Sequence, residues 1–423
     1  MNLNEILPGE LLAATVVTVA GLEIERHDEV VIVRNPVLGS RREVTPSFLR
    51  LLEHFEQPRP LASATAREGV QAHDILAAMS CAFLLDVDLL VTAAGPPLGR
   101  ALSMSAFLAE TRFEGQVIFG APIDAAAGGR GGARMGPQEI RAVARLPFLD
   151  PNASVLGNPF QLPSDPEDPV FLDFELRRRY IGRAPQVVDL GDLKNMGGEG
   201  VRTFGARLGQ VASMILDRGA RPGMLGGDHS ITWFVLQQLL ARRPSIGIIH
   251  FDAHHDMWPP LSTQFEYFTH AMPFFHVLAH PGVQVLLQLG LRTFEDALPS
   301  QLHRDERVRY VSARELQKLS PAEVFQGLPR DLPYYLSFDI DCMDPSVAPE
   351  TGTPLPGGLA YYQALDLVDY AARELELVGW DVVEVSQREQ QRNQAALVAA
   401  ALVRQLLLGS MPFEPLDGYR RTA

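Results

Sequence analysis

From about residue 117 onward, short unbroken apolar runs alternate with longer segments whose apolar positions recur every three or four residues. Runs buried on both faces followed by amphipathic segments predict a parallel sheet covered by helices. The clearest strand is predicted over residues 246–251, with others at 116–119, 283–289, 334–338 and 379–385. Helices are predicted over 201–218, 231–241, 361–375 and 394–408, many of them closed by Gly or Pro. The Pro-containing stretch 151–185 has no convincing period and reads as a long surface excursion. There is no internal repeat and no low-complexity tract.

Residues 1–110 follow a different pattern. A β-branched run at 30–34 predicts a strand, 46–55 is apolar at helical spacing, and a longer apolar segment covers 75–91. Pro58 and Pro60 separate the two helical pieces. This order predicts a small winged-helix-like α+β module ahead of a catalytic unit at 111–423. Its acidic residues outnumber its basic ones, which argues against DNA binding.

Composition narrows the picture. The chain has 423 residues, 46% hydrophobic and 21% charged, enough for two globular units. A net charge of −14 makes nucleic acid an unexpected partner. Cys81 and Cys342 cannot build a disulfide framework or a Cys-based zinc site, which fits a reducing compartment. The apolar run at 11–22 is too short for a membrane span and has no basic leader, so a cytoplasmic protein is expected, without membrane contact.

Three strand ends carry chemistry. Asp252-Ala253-His254-His255-Asp256 follows the strand at 246–251. If extended geometry persists, positions 252, 254 and 256 share one face. Asp339-Ile340-Asp341 repeats the arrangement after 334–338, and Gly226-Gly227-Asp228-His229-Ser230 offers an imidazole where a glycine turn meets a helix. Alone, an Asp-x-Asp after a strand is more often a turn or cap. Three such ends together supply six ligands, His229, Asp252, His254, Asp256, Asp339 and Asp341, enough for two cations if carboxylates bridge. Oxygen-rich ligation with two imidazoles and no thiolate suits Mn²⁺, with Ni²⁺, Fe²⁺ and Co²⁺ left open.

These segments resemble the ureohydrolase family, the arginases and agmatinases. The match includes Gly226 to Ser230, Asp252 to Asp256, and Ser337-Phe338-Asp339-Ile340-Asp341-Cys342-Met343-Asp344-Pro345. It continues through Pro349-Glu350-Thr351-Gly352-Thr353-Pro354 and Gly357-Gly358. An entry segment, Gly120-Ala121-Pro122-Ile123-Asp124 with Gly136-Pro137-Gln138-Glu139-Ile140-Arg141, matches as well. The resemblance implies a three-layer α/β/α arginase-like fold with a central parallel sheet, and hydrolysis of a guanidinium group to an amine plus urea at two Mn²⁺ ions. It implies that Asp252 and Asp339 bridge the ions, His229 and Asp256 complete one shell, and His254 and Asp341 complete the other. His270, in His270-Ala271-Met272-Pro273, resembles the family's proton shuttle, with Ala271 in place of the usual Gly. Glu384 resembles the carboxylate that orients the guanidinium, although Ser386-Gln387 replace the usual Asn-Pro. His270, Glu384 and Asp256 are thus the expected catalytic residues, and a homo-oligomer is expected.

The substrate is narrowed at one position. Arginases read the α-carboxylate of free arginine through a small polar residue two positions after the motif's last Asp, and here that position is Trp258. A carboxylate that helps to read the α-ammonium aligns loosely with Gln317, close to Glu315. Trp258, His255 and Glu384 are the expected substrate contacts, while Arg292 has no assigned part. The N-terminal pattern is similar to PqqD-like peptide-recognition elements, which bind a leader peptide by adding it as a strand. Together these point to a peptide arginase that converts arginines of a ribosomally made precursor peptide to ornithine. The alternatives are a small-molecule ureohydrolase acting on agmatine, guanidinobutyrate or guanidine, and a catalytically silent metal-binding regulator.

Overall fold

The computed structural model describes residues 13–416, apart from 28–29, 37–38, 67–69, 129, 145–170, 183–184, 196–198, 261–267, 295–304 and 388–392. A ten-stranded sheet organises the larger unit, in the order Val308–Ser312, Val283–Leu291, Ile246–Phe251, Tyr334–Asp339, Leu377–Val383, Arg221–Leu225, Gln116–Gly120, Val187–Leu193 and Val91–Thr92. Arg100–Ala101 also pairs with Val187–Leu193. All pairings are parallel except that of Val91–Thr92.

Alternation along these strands sends side chains into two apolar layers. Ile249, Phe251 and Leu287 pack with Ala364, Leu367 and Ala395 from the helices Tyr361–Glu374 and Gln394–Leu408. Ile246, Ile248 and Leu286 face the other way, onto Phe204, Leu208 and Val235 from Val201–Asp217 and Thr232–Leu240. The predicted three-layer α/β/α arrangement is what the chain adopts. The strands at Val187–Leu193, Arg221–Leu225 and Val308–Ser312 add to those expected.

The N-terminal residues build a second, smaller core. Glu23–His27, Val30–Asn35 and Ser40–Val44 form an antiparallel meander, and Arg59–Pro60, Thr15–Thr18 and Leu84–Asp86 form a second sheet. Helix Pro46–His54 begins at Thr45, whose hydroxyl accepts the Phe48 N–H at 3.3 Å. The apolar segment at 75–91 is not one helix. Helix Ala72–Ser80 ends where Ala82 takes φ +51° and the Phe83 N–H reaches back to Ala78 O at 2.7 Å. Val87 and the residues after it pack in the larger unit's core, which Val17 of Thr15–Thr18 also joins. Gln210 links the two units, accepting the Ala20 N–H at 3.2 Å and donating to Thr18 O at 2.7 Å.

Part of the expected excursion at 151–185 is ordered sheet. Phe171–Asp173 and Arg178–Tyr180 pair antiparallel and continue onto Phe413–Pro415, while 151–170 lies outside the described residues. Among the described residues, no helix is long and apolar enough to cross a membrane.

Candidate metal centre

Four strands adjacent in the sheet end at one place and deliver the chemistry from their carboxyl ends, where α/β sheets bind ligands. The pleat does not bring these side chains together, as the sequence pattern had suggested. The strand stops at Phe251, Asp256 takes φ +47°, and Ile340–Cys342 is a turn of 3-10 helix. The same local device acts at three ends: an aspartate oxygen accepts the N–H two residues on. Asp228 takes Ser230 N–H at 3.1 Å, Asp252 takes His254 N–H at 2.6 Å, and Asp339 takes Asp341 N–H at 2.8 Å. At Asp252 and Asp339 the second oxygen remains for the cluster.

Around His229 Nδ1 stand Asp256 Oδ2 at 3.1 Å, Asp252 Oδ2 at 3.2 Å and Asp339 Oδ2 at 3.2 Å. A second group forms beside it, with His254 Nδ1 lying 3.1 Å from Asp341 Oδ2 and 3.3 Å from Asp252 Oδ1. All six side chains expected as ligands therefore fall into two groups that share Asp252; five are buried and His254 is partly exposed.

The chemistry of this donor set fits a pair of cations. Ser337 Oγ has one proton and donates it to Asp381 Oδ1 at 2.7 Å, so it accepts from His229 Nε2 at 2.8 Å. In the neutral ring, Nδ1 then carries a bare lone pair; it is buried and makes no hydrogen bond. A lone pair facing three carboxylates is repulsive, so the site calls for positive charge: a cation between them, or a proton on Nδ1. Burial opposes that proton, but the three carboxylates favour it enough to raise the His229 pKa well above its usual value. Without such charge, burial and the neighbouring Asp341 and Asp252 push the Asp339 carboxyl well above its usual range. Burial likewise pushes Asp341 up to about 6, with Asp252 adding to it.

Sequence reasoning missed His250, Ser337 and Asp381. His250 Nε2 lies 2.8 Å from Asp252 Oδ2, and Gln288 Nε2 lies 2.9 Å from the other ring nitrogen. Asp381 also accepts from Thr232 Oγ1 at 2.9 Å and Tyr335 OH at 2.8 Å. The signal was present: each is a polar residue inside a strand otherwise buried and largely apolar. A polar group in such a place needs a partner, and here the partners lead to the metal ligands.

Glu384 follows the strand Leu377–Val383 at φ +62°, so two of the four non-glycine residues with positive φ among the described residues, Asp256 and Glu384, lie at this site. Its Oε1 accepts the His229 N–H at 2.9 Å and lies 3.3 Å from His270 Nδ1. Burial lowers the pKa of His270, but Glu384 overrides it and pushes the imidazole up to about 9. Against this, the Gly128 N–H points at Nε2 from 2.9 Å, which requires that nitrogen to be unprotonated. The hydrogen bond is the stronger guide to this conformation: a neutral ring donating Nδ1–H to Glu384, with protonation releasing the Gly128 amide.

The remaining expected contacts are placed as follows. His255 is buried, its Nδ1 accepts the Met257 N–H at 2.9 Å, and its ring lies 5.4 Å from that of Trp258. The Trp258 N–H donates to Ala271 O at 2.9 Å, tying this loop to that of His270. Glu315 is engaged elsewhere, closing a capping box on Ser312, and Gln317 caps the end of the same short helix.

Known proteins share this fold and sequence pattern. The Arginase family model matches residues 169–409. An agmatinase of Sodalis glossinidius is 34% identical over 298 residues, covering 69% of this chain and 85% of that protein. Proclavaminate amidino hydrolase from Streptomyces clavuligerus has 25% identity and a TM-score of 0.58, over 76% of this chain and 98% of that one. A Trypanosoma cruzi formiminoglutamase solved with Mn²⁺ shares the fold at 22% identity and a TM-score of 0.57, over 72% of this chain and 97% of that one. Its strands, its clustered ligand set and these matches make this chain a member of the arginase family of metal-dependent ureohydrolases.

Proposed function

We propose that the substrate is an arginine side chain within a peptide, hydrolysed to ornithine and urea at two Mn²⁺ ions held by His229, Asp252, His254, Asp256, Asp339 and Asp341. The observation that carries the hydrolytic part is His229 Nδ1 held 3.1–3.2 Å from oxygens of three buried carboxylates, a donor set suited to a cation. Guanidinium carbon is a poor electrophile, and paired divalent cations supply a nucleophile at neutral pH by acidifying water. Glu384 is suited to pair with the substrate guanidinium, because its own backbone and the His229 N–H fix its direction. Water adds to the guanidinium carbon, the bond to the alkyl nitrogen breaks, and that nitrogen takes a proton; His270, beside Glu384, relays it.

Peptide use is supported by Trp258, which offers no paired polar contacts to a free α-carboxylate, and by the N-terminal unit. That unit has its own core and lies outside the residues matched by the family model. Its meander has two outer strands, Glu23–His27 and Ser40–Val44, suited to accepting a leader peptide as a further strand. A second reading, hydrolysis of agmatine or another small guanidine, is favoured by the 34% identity to an agmatinase.

The test is incubation of the Mn²⁺-loaded protein with an arginine-containing precursor peptide, free arginine or agmatine, reading urea and peptide mass. A loss of about 42 Da per arginine, with little urea from free arginine or agmatine, is the expected result. Added leader peptide alone should inhibit turnover of the precursor. Urea from agmatine only, with unchanged peptide mass, replaces the first reading with the second.

A further inference from the structure

Arg292 follows the strand Val283–Leu291, and nothing in the hydrolytic chemistry calls for it. Its guanidinium faces backbone carbonyls. Nη2 donates to Asp341 O and Leu355 O at 2.7 Å each and to Met343 O at 3.2 Å. Nη1 reaches Gly290 O and Cys342 O at 3.3 Å each, and Nε reaches Leu355 O and Pro356 O at 3.2 Å each. Its backbone N–H donates to Ala253 O at 3.1 Å, within the loop that carries Asp252 and His254.

One cation therefore joins the strand end at Gly290, the turn at Asp341–Met343 and the chain at Leu355–Pro356. The last of these continues from Thr353, whose hydroxyl donates to Asp341 Oδ2 at 2.9 Å. Asp341 Oδ1 accepts the Ala253 N–H at 3.1 Å, closing the circuit between the two ligand-bearing loops. A turn whose successive carbonyls all point at one planar fork cannot rotate without losing several charge-assisted hydrogen bonds. The His229 group is braced separately, through Ser337 and Asp381.

We propose that Arg292 is a positioning residue for the cation pocket formed by Asp252, His254 and Asp341, setting the spacing between the loops on which those ligands ride. The inference rests on the metal-centre reading of the site. It makes the two cation positions unequal in their dependence on Arg292.

The test uses the full chain with Arg292→Met, Arg292→Lys and Thr353→Val. Mn²⁺ binding is titrated by equilibrium dialysis and by electron paramagnetic resonance, which separates paired from single ions. The parent should bind two ions per chain. Arg292→Met should keep one and bind the second about 10–100-fold more weakly, in the range typical for loss of an orienting partner. Arg292→Lys should fall between the two, because an ammonium cannot reach all these carbonyls. Thr353→Val should weaken the same ion, and with Arg292→Lys it decides the matter if Arg292→Met does not fold. Parent-like affinity for both ions, with only a lower melting temperature of the metal-free protein, would overturn the proposal, as would equal weakening of both ions. A parent that binds fewer than two ions would instead overturn the metal-centre reading.

Discussion

Removing a single oxygen atom, that of Ser337, should unsettle both the fold and the metal centre. In Ser337→Ala, His229 Nε2 loses its 2.8 Å acceptor and Asp381 Oδ1 loses its 2.7 Å donor, all in fully buried surroundings. An unsatisfied buried polar group costs about 1–3 kcal/mol, so the pair costs about 2–6 kcal/mol before relaxation. The lower end applies if the imidazole turns, which takes Nδ1 away from Asp252, Asp256 and Asp339, or changes tautomer, which places a proton on Nδ1 where a cation would bind. Denaturant unfolding of the metal-free parent and variant measures the first effect, with Trp380 as a reporter because it is 2% exposed and precedes Asp381 in the same strand. Mn²⁺ titration measures the second, expected as a loss of about 10–100-fold at one of two positions. Midpoints within about 0.5 kcal/mol of each other, together with parent-like metal binding, would refute the claim that Ser337 sets the ring's orientation.

Two further changes test other parts of the structure. Arg141 forks onto Asp189 at 2.8 and 3.2 Å and also pairs with Asp192, so two buried carboxylates share one cation. Burial pushes Asp192 up to about 6, with Arg141 pulling against it and Asp189 adding to it. The folded state thus holds this proton more tightly than the unfolded chain does, and Asp192 lowers stability as pH rises from about 4 to about 6. Asp192→Asn should remove that slope, and melts of parent and variant across pH 4–7 check it. At Gly227 an added Cβ would lie 1.9 Å from Ile123 O and 2.7 Å from Ile123 N, so Gly227→Ala should displace the turn that carries His229. We expect a destabilisation above about 3 kcal/mol and loss of one Mn²⁺, whereas Gly200→Ala, with open space around it, should change stability by less than about 1 kcal/mol.

Much of this protein is determined by local sequence alone. Apolar runs such as that of Ile246–Phe251 read as strands buried on both faces by their shortness and β-branched content, and the helices Val201–Asp217 and Gln394–Leu408 follow from spacing. The six clustered ligand types were legible because aspartate and histidine at three strand ends are costly to bury unless they serve a common purpose. What the linear pattern could not contain is how those ends are turned. Asp252, Asp339 and Asp228 curl their own backbones, and left-handed φ at Asp256 and Glu384 is tolerated only because surrounding structure holds it. Likewise the links His229–Ser337–Asp381 and Arg292–Asp341 join residues 108, 44 and 49 positions apart. Only tertiary structure decides such pairings, because a hydrogen bond depends on angles and tenths of an ångström, whereas a sequence records only which groups are available to make it.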